Sequence, residues 1–96
     1  MNHKNATSAQ FERVILRLMP NCFSAMAEGK LIAGIYAQAF LDGHLELSRR
    51  FFLDDNGGNA YFASLVGLEP TQIRTLYKDH CRAYNMHMLE IAAWPA

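Results

Sequence analysis

The stretch Asn59-Ala60-Tyr61-Phe62-Ala63-Ser64-Leu65-Val66-Gly67-Leu68-Glu69-Pro70-Thr71-Gln72-Ile73-Arg74-Thr75-Leu76-Tyr77-Lys78 decides how this chain folds. It reads as a short helix, a tight turn and a second helix. Two helices that meet at a steep angle need a small residue where their backbones approach, and Ala63 supplies it. Four residues on, Gly67 tolerates the positive φ that a sharp exit from a helix requires. Pro70 suits the first turn of the next helix, where its missing N–H leaves nothing unpaired. Phe62, Val66 and Leu68 flank the corner, and Ile73 and Leu76 are spaced to pin the second segment against the first.

Outward from the corner, the helical period continues from Pro70 to about Ile91. At 100° per residue, Ile73, Leu76, Tyr77, His80, Tyr84 and Met88 fall on one side. Thr71, Arg74, Thr75, Lys78 and Arg82 fall on the other. Arg74, Lys78 and Arg82 stand at i, i+4 and i+8 and form a basic ridge, with the threonines and Gln72 beside it. Arginine can read guanine edges, glutamine can read adenine, and lysine can hold a phosphate. Against this, a charged outer face is what any soluble amphipathic helix carries, and Asp79 dilutes the ridge.

With its alanine, glycine and apolar positions, the stretch resembles the helix-turn-helix of DNA-binding regulators. The resemblance places Thr71, Gln72, Arg74, Thr75 and Lys78 in exposed recognition-helix positions. Arg82 extends that ridge, and Arg49 and Arg50 are candidates for added phosphate contacts. The departure is Glu69-Pro70, where such motifs more often carry small hydroxyl residues; a glutamate there would face phosphates unfavourably. The competing reading is an αα-corner that only builds a core.

The rest of the chain is also helical in pattern. Residues 1–6 are polar and expected to fray. Thr7 and Gln10 have capping-box spacing. Phe11, Val14, Ile15 and Leu18 make one apolar face, ending at Met19-Pro20. Asn21 or Ser24 can cap the next segment, and Gly29-Lys30 is a candidate break or bend. Leu31, Ile32, Ile35, Tyr36, Ala39 and Phe40 form the strongest stripe, with Ala33, Gly34 and Ala37 small enough for close packing. Asp42-Gly43 reads as a helix end, His44 to Leu53 as further helical turns, and Asp54-Asp55-Asn56-Gly57-Gly58 as a loop. No useful alternating run argues for a strand. The expected fold is an all-α, compact single domain over residues 1–96, with four to five helices and a helix-turn-helix-like corner.

Arg49-Arg50-Phe51-Phe52-Leu53, the polar loop, Leu65-Val66-Gly67-Leu68-Glu69-Pro70 and Ile73-Arg74 together look like a type of small helical protein common in bacteriophages and prophages. The resemblance spans about residues 31–80 and rests on short motifs. It implies a phage-related source more than an activity.

Composition bounds the function. The 96 residues are 51 % apolar, with nine basic and nine acidic side chains and no formal net charge. That favours a folded chain and removes the basic coat typical of nucleic-acid binders, so DNA binding would rest on local asymmetry. Cys22 and Cys81 are too few for a disulfide framework and suit reduced thiols. Met1 to Gln10 is polar, and no apolar run reaches the roughly eighteen residues of a membrane span; a cytoplasmic protein is expected.

The chemistry of catalysis is weakly represented. His3, His44, His80 and His87 lack zinc-site spacing, although His80 and His87 flank Cys81 closely on one helix. Cys22 and His44 are a nucleophile and base only in principle, with no orienting group or oxyanion site. Gly57-Gly58 does not follow a strand as a phosphate loop would. Asp54 and Asp55 lack the EF-hand ligand pattern and, being solvated, cannot hold separated pKa values. No enzyme, metal or cofactor is expected. The leading expectation is a small DNA-binding transcription regulator of phage or prophage genes. It would act as a homodimer, because one short recognition helix buries too little surface for specific binding. The helix at residues 7–19, the stripe at 31–40 or the tail Ile91-Ala92-Ala93-Trp94 would supply the dimer surface. The alternative is a phage-encoded protein that binds and inhibits or redirects a host protein, and a weaker third is a phage assembly component.

Overall fold

The computed structural model describes residues 8–43 and 45–83. Among them are six helices and no strand: α1 (Ser8–Leu18), α2 (Asn21–Ser24), α3 (Ala27–Leu41), α4 (Glu46–Leu53), α5 (Gly58–Val66) and α6 (Pro70–Ala83). The all-α expectation holds. The extra helix is α2, a single turn between the two long N-terminal helices.

The most extensive helix–helix packing among the described residues is α1 along α3. Ile15 is fully buried there, while Phe11 and Leu18 pack at the margin of the core. Val14, counted in the same stripe, is 40 % exposed. α3 is the central helix and buries Gly29, Ile32, Ala33, Tyr36, Ala37 and Phe40. Its buried face is therefore rotated from the expected stripe, centring on Ala33 and Ala37, and Leu31 is left 68 % exposed on the far side. Small residues let neighbouring backbones approach, so they draw the contact face towards themselves.

Gly29 does not break α3, which is continuous from Ala27 to Leu41. The helix runs through it, and a Cβ there would overlap the Phe23 carbonyl where α2 meets α3, so the position takes glycine for space. Nor do Asn21 or Ser24 cap a helix. Pro20 holds the N-cap of α2, and its carbonyl accepts from the N–H groups of Phe23 at 2.9 Å and Ser24 at 3.0 Å. Asn21 is already helical, and Ser24 Oγ turns back on the Asn21 carbonyl. α3 starts after Met26, again with no side-chain cap. The Thr7 cap, the 1–6 tail, His3, His44 and everything beyond Ala83 lie outside the described residues.

Aromatic rings join the two halves. Phe11 stacks on Phe40 at 5.0 Å, Phe40 meets Phe52 at 4.6 Å, and Phe52 stacks on Tyr77 at 4.4 Å. One continuous core thus runs from α1 through α3 and α4 to α6. Fully burying a side chain of this class stabilises by about 1.5–3 kcal/mol.

Candidate nucleic-acid interface

The corner forms as its residues require. Ala63 is fully buried, and Gly67 ends α5 in the left-handed region at φ 70°. The Leu68 N–H closes on the Ala63 carbonyl at 3.0 Å. A Cβ on Gly67 would also lie 2.9 Å from Pro20 Cγ, so the turn rests on the start of α2. Pro70 opens α6, and the Glu69 carbonyl accepts from the Ile73 N–H. The Glu69 carboxylate accepts from the Thr71 N–H at 3.4 Å. A negative group is favourable at a helix N-terminus, which explains a glutamate in this place. It also occupies the position where a phosphate would gain most from the dipole.

α6 has two faces. Ile73, Tyr77 and Cys81 are buried and Leu76 packs at the edge of the core. Tyr77 Oη donates to the Gly43 carbonyl at 2.7 Å, and His80 Nε2 lies 3.1 Å from the Phe40 carbonyl. A carbonyl only accepts, so Nε2 carries the proton. These two side chains strap the second half of α6 onto the C-terminal end of α3. His80 also sets its ring edge-on to Phe11 and Phe40. Burial there holds its pKa below the ordinary value, partly offset by the Phe40 carbonyl. Burial likewise pushes the Cys81 thiol up, the opposite of an activated nucleophile. Among the described residues, no three His, Cys, Asp or Glu side chains are grouped to hold a metal.

On the outer face, Thr71, Gln72, Thr75 and Arg82 are exposed, while Arg74 and Lys78 are half-buried. Thr75 Oγ1 donates back to the Thr71 carbonyl. Arg82 lies 3.5 Å from Asp79 across an exposed pair, a type worth little in water. Arg74 leaves the ridge: its Nε donates to the Phe52 carbonyl at 3.3 Å, and a terminal nitrogen lies 3.8 Å from Asp55. Phe52 is in the last turn of α4, whose carbonyls lack intrahelical partners. Arg49 and Arg50 both close on Glu46 of their own helix, and the hydrogen bond from Arg49 is the first cause of the lowered Glu46 pKa.

Asn59, which in sequence only opens the short helix of the corner, carries a role its pattern did not announce. It is fully buried. Tyr36 Oη donates to its Oδ1 at 2.7 Å, and its Nδ2 donates to the carbonyls of Pro70 at 3.1 Å and Phe52 at 3.4 Å. The two glycines before it are fitted to this junction. A Cβ on Gly57 would overlap the Arg50 carbonyl and one on Gly58 the Phe51 ring. The doublet Gly57-Gly58 followed by a polar residue at a helix start was the available signal.

A second surface feature lies on α4 and α5. Leu47 is 79 % exposed, Tyr61 61 % and Leu65 48 %. Beside them Phe51 stacks on Phe62, and Phe62 meets Tyr61 edge-on. Compared with known proteins, the chain matches no family model, no curated protein sequence and no solved structure.

Proposed function

We propose that this chain is a DNA-binding protein that presents α6 to the major groove, in keeping with a small transcription regulator. The phage setting rests on the sequence resemblance alone. One observation carries the reading: the Ala63–Gly67–Pro70 corner holds α6 with Thr71, Gln72 and Thr75 exposed on its first two turns. Those residue types, at the start of a second helix, are suited to base edges and phosphates. Lys78 and Arg82 continue the surface. The proposal includes a homodimer, with recognition helices about 34 Å apart, because one such helix is too small a reader alone.

Selection from a random duplex pool, followed by anisotropy titration, tests it. The full chain should enrich a sequence, and Gln72→Ala should relax the preference at one base pair by about 1–3 kcal/mol. Absence of binding to any duplex at low salt would sink the proposal. A second reading is a binder of a host protein. The apolar group of Leu47, Phe51, Phe62, Tyr61 and Leu65 favours it, since exposed apolar surface marks interaction sites.

A further inference from the structure

We infer that the Asn59 carboxamide is the positioning residue that sets how α6 is presented; this rests on the reading of α6 as the contact helix. A corner held by Ala63 and Gly67 packing alone fixes the approach of α5 and α6 but leaves their rotation to non-directional contacts. Hydrogen bonds are directional, and Asn59 makes them to three elements at once. Its oxygen accepts from Tyr36 in α3, and its two amide hydrogens go to Phe52 at the end of α4 and Pro70 at the start of α6. No buried side-chain polar atom among the described residues lacks a partner. Such fully satisfied buried networks specify one arrangement, whereas partly satisfied ones are costly. Arg74 converges on the same Phe52 carbonyl from α6. The junction of α4, α5 and α6 is therefore polar at its centre and apolar around it.

The geometry also fixes which group matters. An apolar residue of similar volume fills the site and leaves Tyr36 Oη and the Phe52 and Pro70 carbonyls with one partner fewer. Aspartate keeps the acceptor for Tyr36 but turns both donors into a carboxylate oxygen facing two carbonyls. Protonating that carboxyl restores one donor.

The test is a spin-label distance between α4 and α6 in the full chain, with labels at Leu47→Cys and Asp79→Cys, both exposed, and the exposed Cys22 changed to serine. Asn59→Leu should shift or broaden that distance while helix content is kept. In the unlabelled protein it should weaken duplex binding by roughly tenfold, the equivalent of one aligned hydrogen bond. Tyr36→Phe, which removes the hydroxyl shared by Asn59 Oδ1 and the Asn59 main-chain carbonyl and leaves both amide donors in place, should do the same to a smaller degree. Asn59→Asp should recover both distance and melting temperature as pH falls, relative to wild type. An unchanged distance in Asn59→Leu overturns the inference, whatever the DNA result. If Asn59→Leu does not fold, a melting temperature of Asn59→Asp that follows wild type across pH overturns it instead. A shifted distance in a protein whose wild type binds no duplex keeps the inference for the fold and removes the DNA reading.

Discussion

Two glycines of α3 make opposite predictions from the same residue type. In a helix interior, glycine costs about 0.5–1 kcal/mol relative to alanine. At Gly34 the nearest obstacle to a Cβ is the end of the flexible Glu12 side chain, 3.1 Å away. Glu12 can move aside, so Gly34→Ala should be neutral or stabilise by about 0.5–1 kcal/mol. At Gly29 the obstacle is the backbone of Phe23, which cannot move without shifting α2. Gly29→Ala should destabilise by about 1–3 kcal/mol, as overpacking does. Urea melts of the two variants decide the matter, and equal effects would show that the α2–α3 crossing has room for a methyl group at Gly29. Neither role was legible in the sequence, where Gly29 looked like a break. Glycine announces that space or φ is special at its position, and only the neighbouring chain says which. Gly67 was legible because its spacing from Ala63 and Pro70 supplied that neighbour locally.

At the scale of elements, periodicity located the helices, and it erred where a helix has more apolar residues than neighbours to bury them. Leu31 and Val14 are of this kind: both lie on apolar-looking stripes, and both face solvent. The two faces of α6 were read correctly for Ile73, Tyr77 and His80, since one neighbour set covers them. The depth of His80 has a consequence for pH. Its folded pKa lies below the ordinary 6.5 because burial disfavours the charged ring. The unfolded chain therefore takes up the proton first, and the stability tied to neutral His80 is complete above that value. It declines as pH falls from there towards the folded pKa. Melting temperature measured from about pH 7.5 to about 5.5 should fall more steeply for wild type than for His80→Gln, whose amide can still donate to the Phe40 carbonyl. Parallel curves for the two proteins would place His80 outside the core.

At the scale of the molecule, charge decides how a duplex could be held. Residues 45–83 carry five basic and five acidic side chains, so the half containing α6 has no excess positive field. Among the ridge residues, Arg74 and Arg82 differ in kind. Among the described residues, Arg82 has an exposed pair with Asp79 to give up, whereas Arg74 satisfies a carbonyl at the end of α4. The sequence grouped them by spacing, because spacing registers the face of a helix and not what a long side chain reaches back to. Each phosphate neutralised contributes about −0.9 to the slope of log affinity against log salt. With Lys78 and Arg82 as the basic contacts on α6, the slope should be shallow, about −2 per protomer. Arg82→Ala should reduce that slope by about 1 and leave the melting curve unchanged. Arg74→Ala should instead cost about 0.5–1.5 kcal/mol of stability, the net worth of one hydrogen bond, with the slope retained. A steep slope lost in Arg74→Ala at unchanged stability would reverse the assignment and return Arg74 to the contact face, leaving Asn59 alone to close the end of α4.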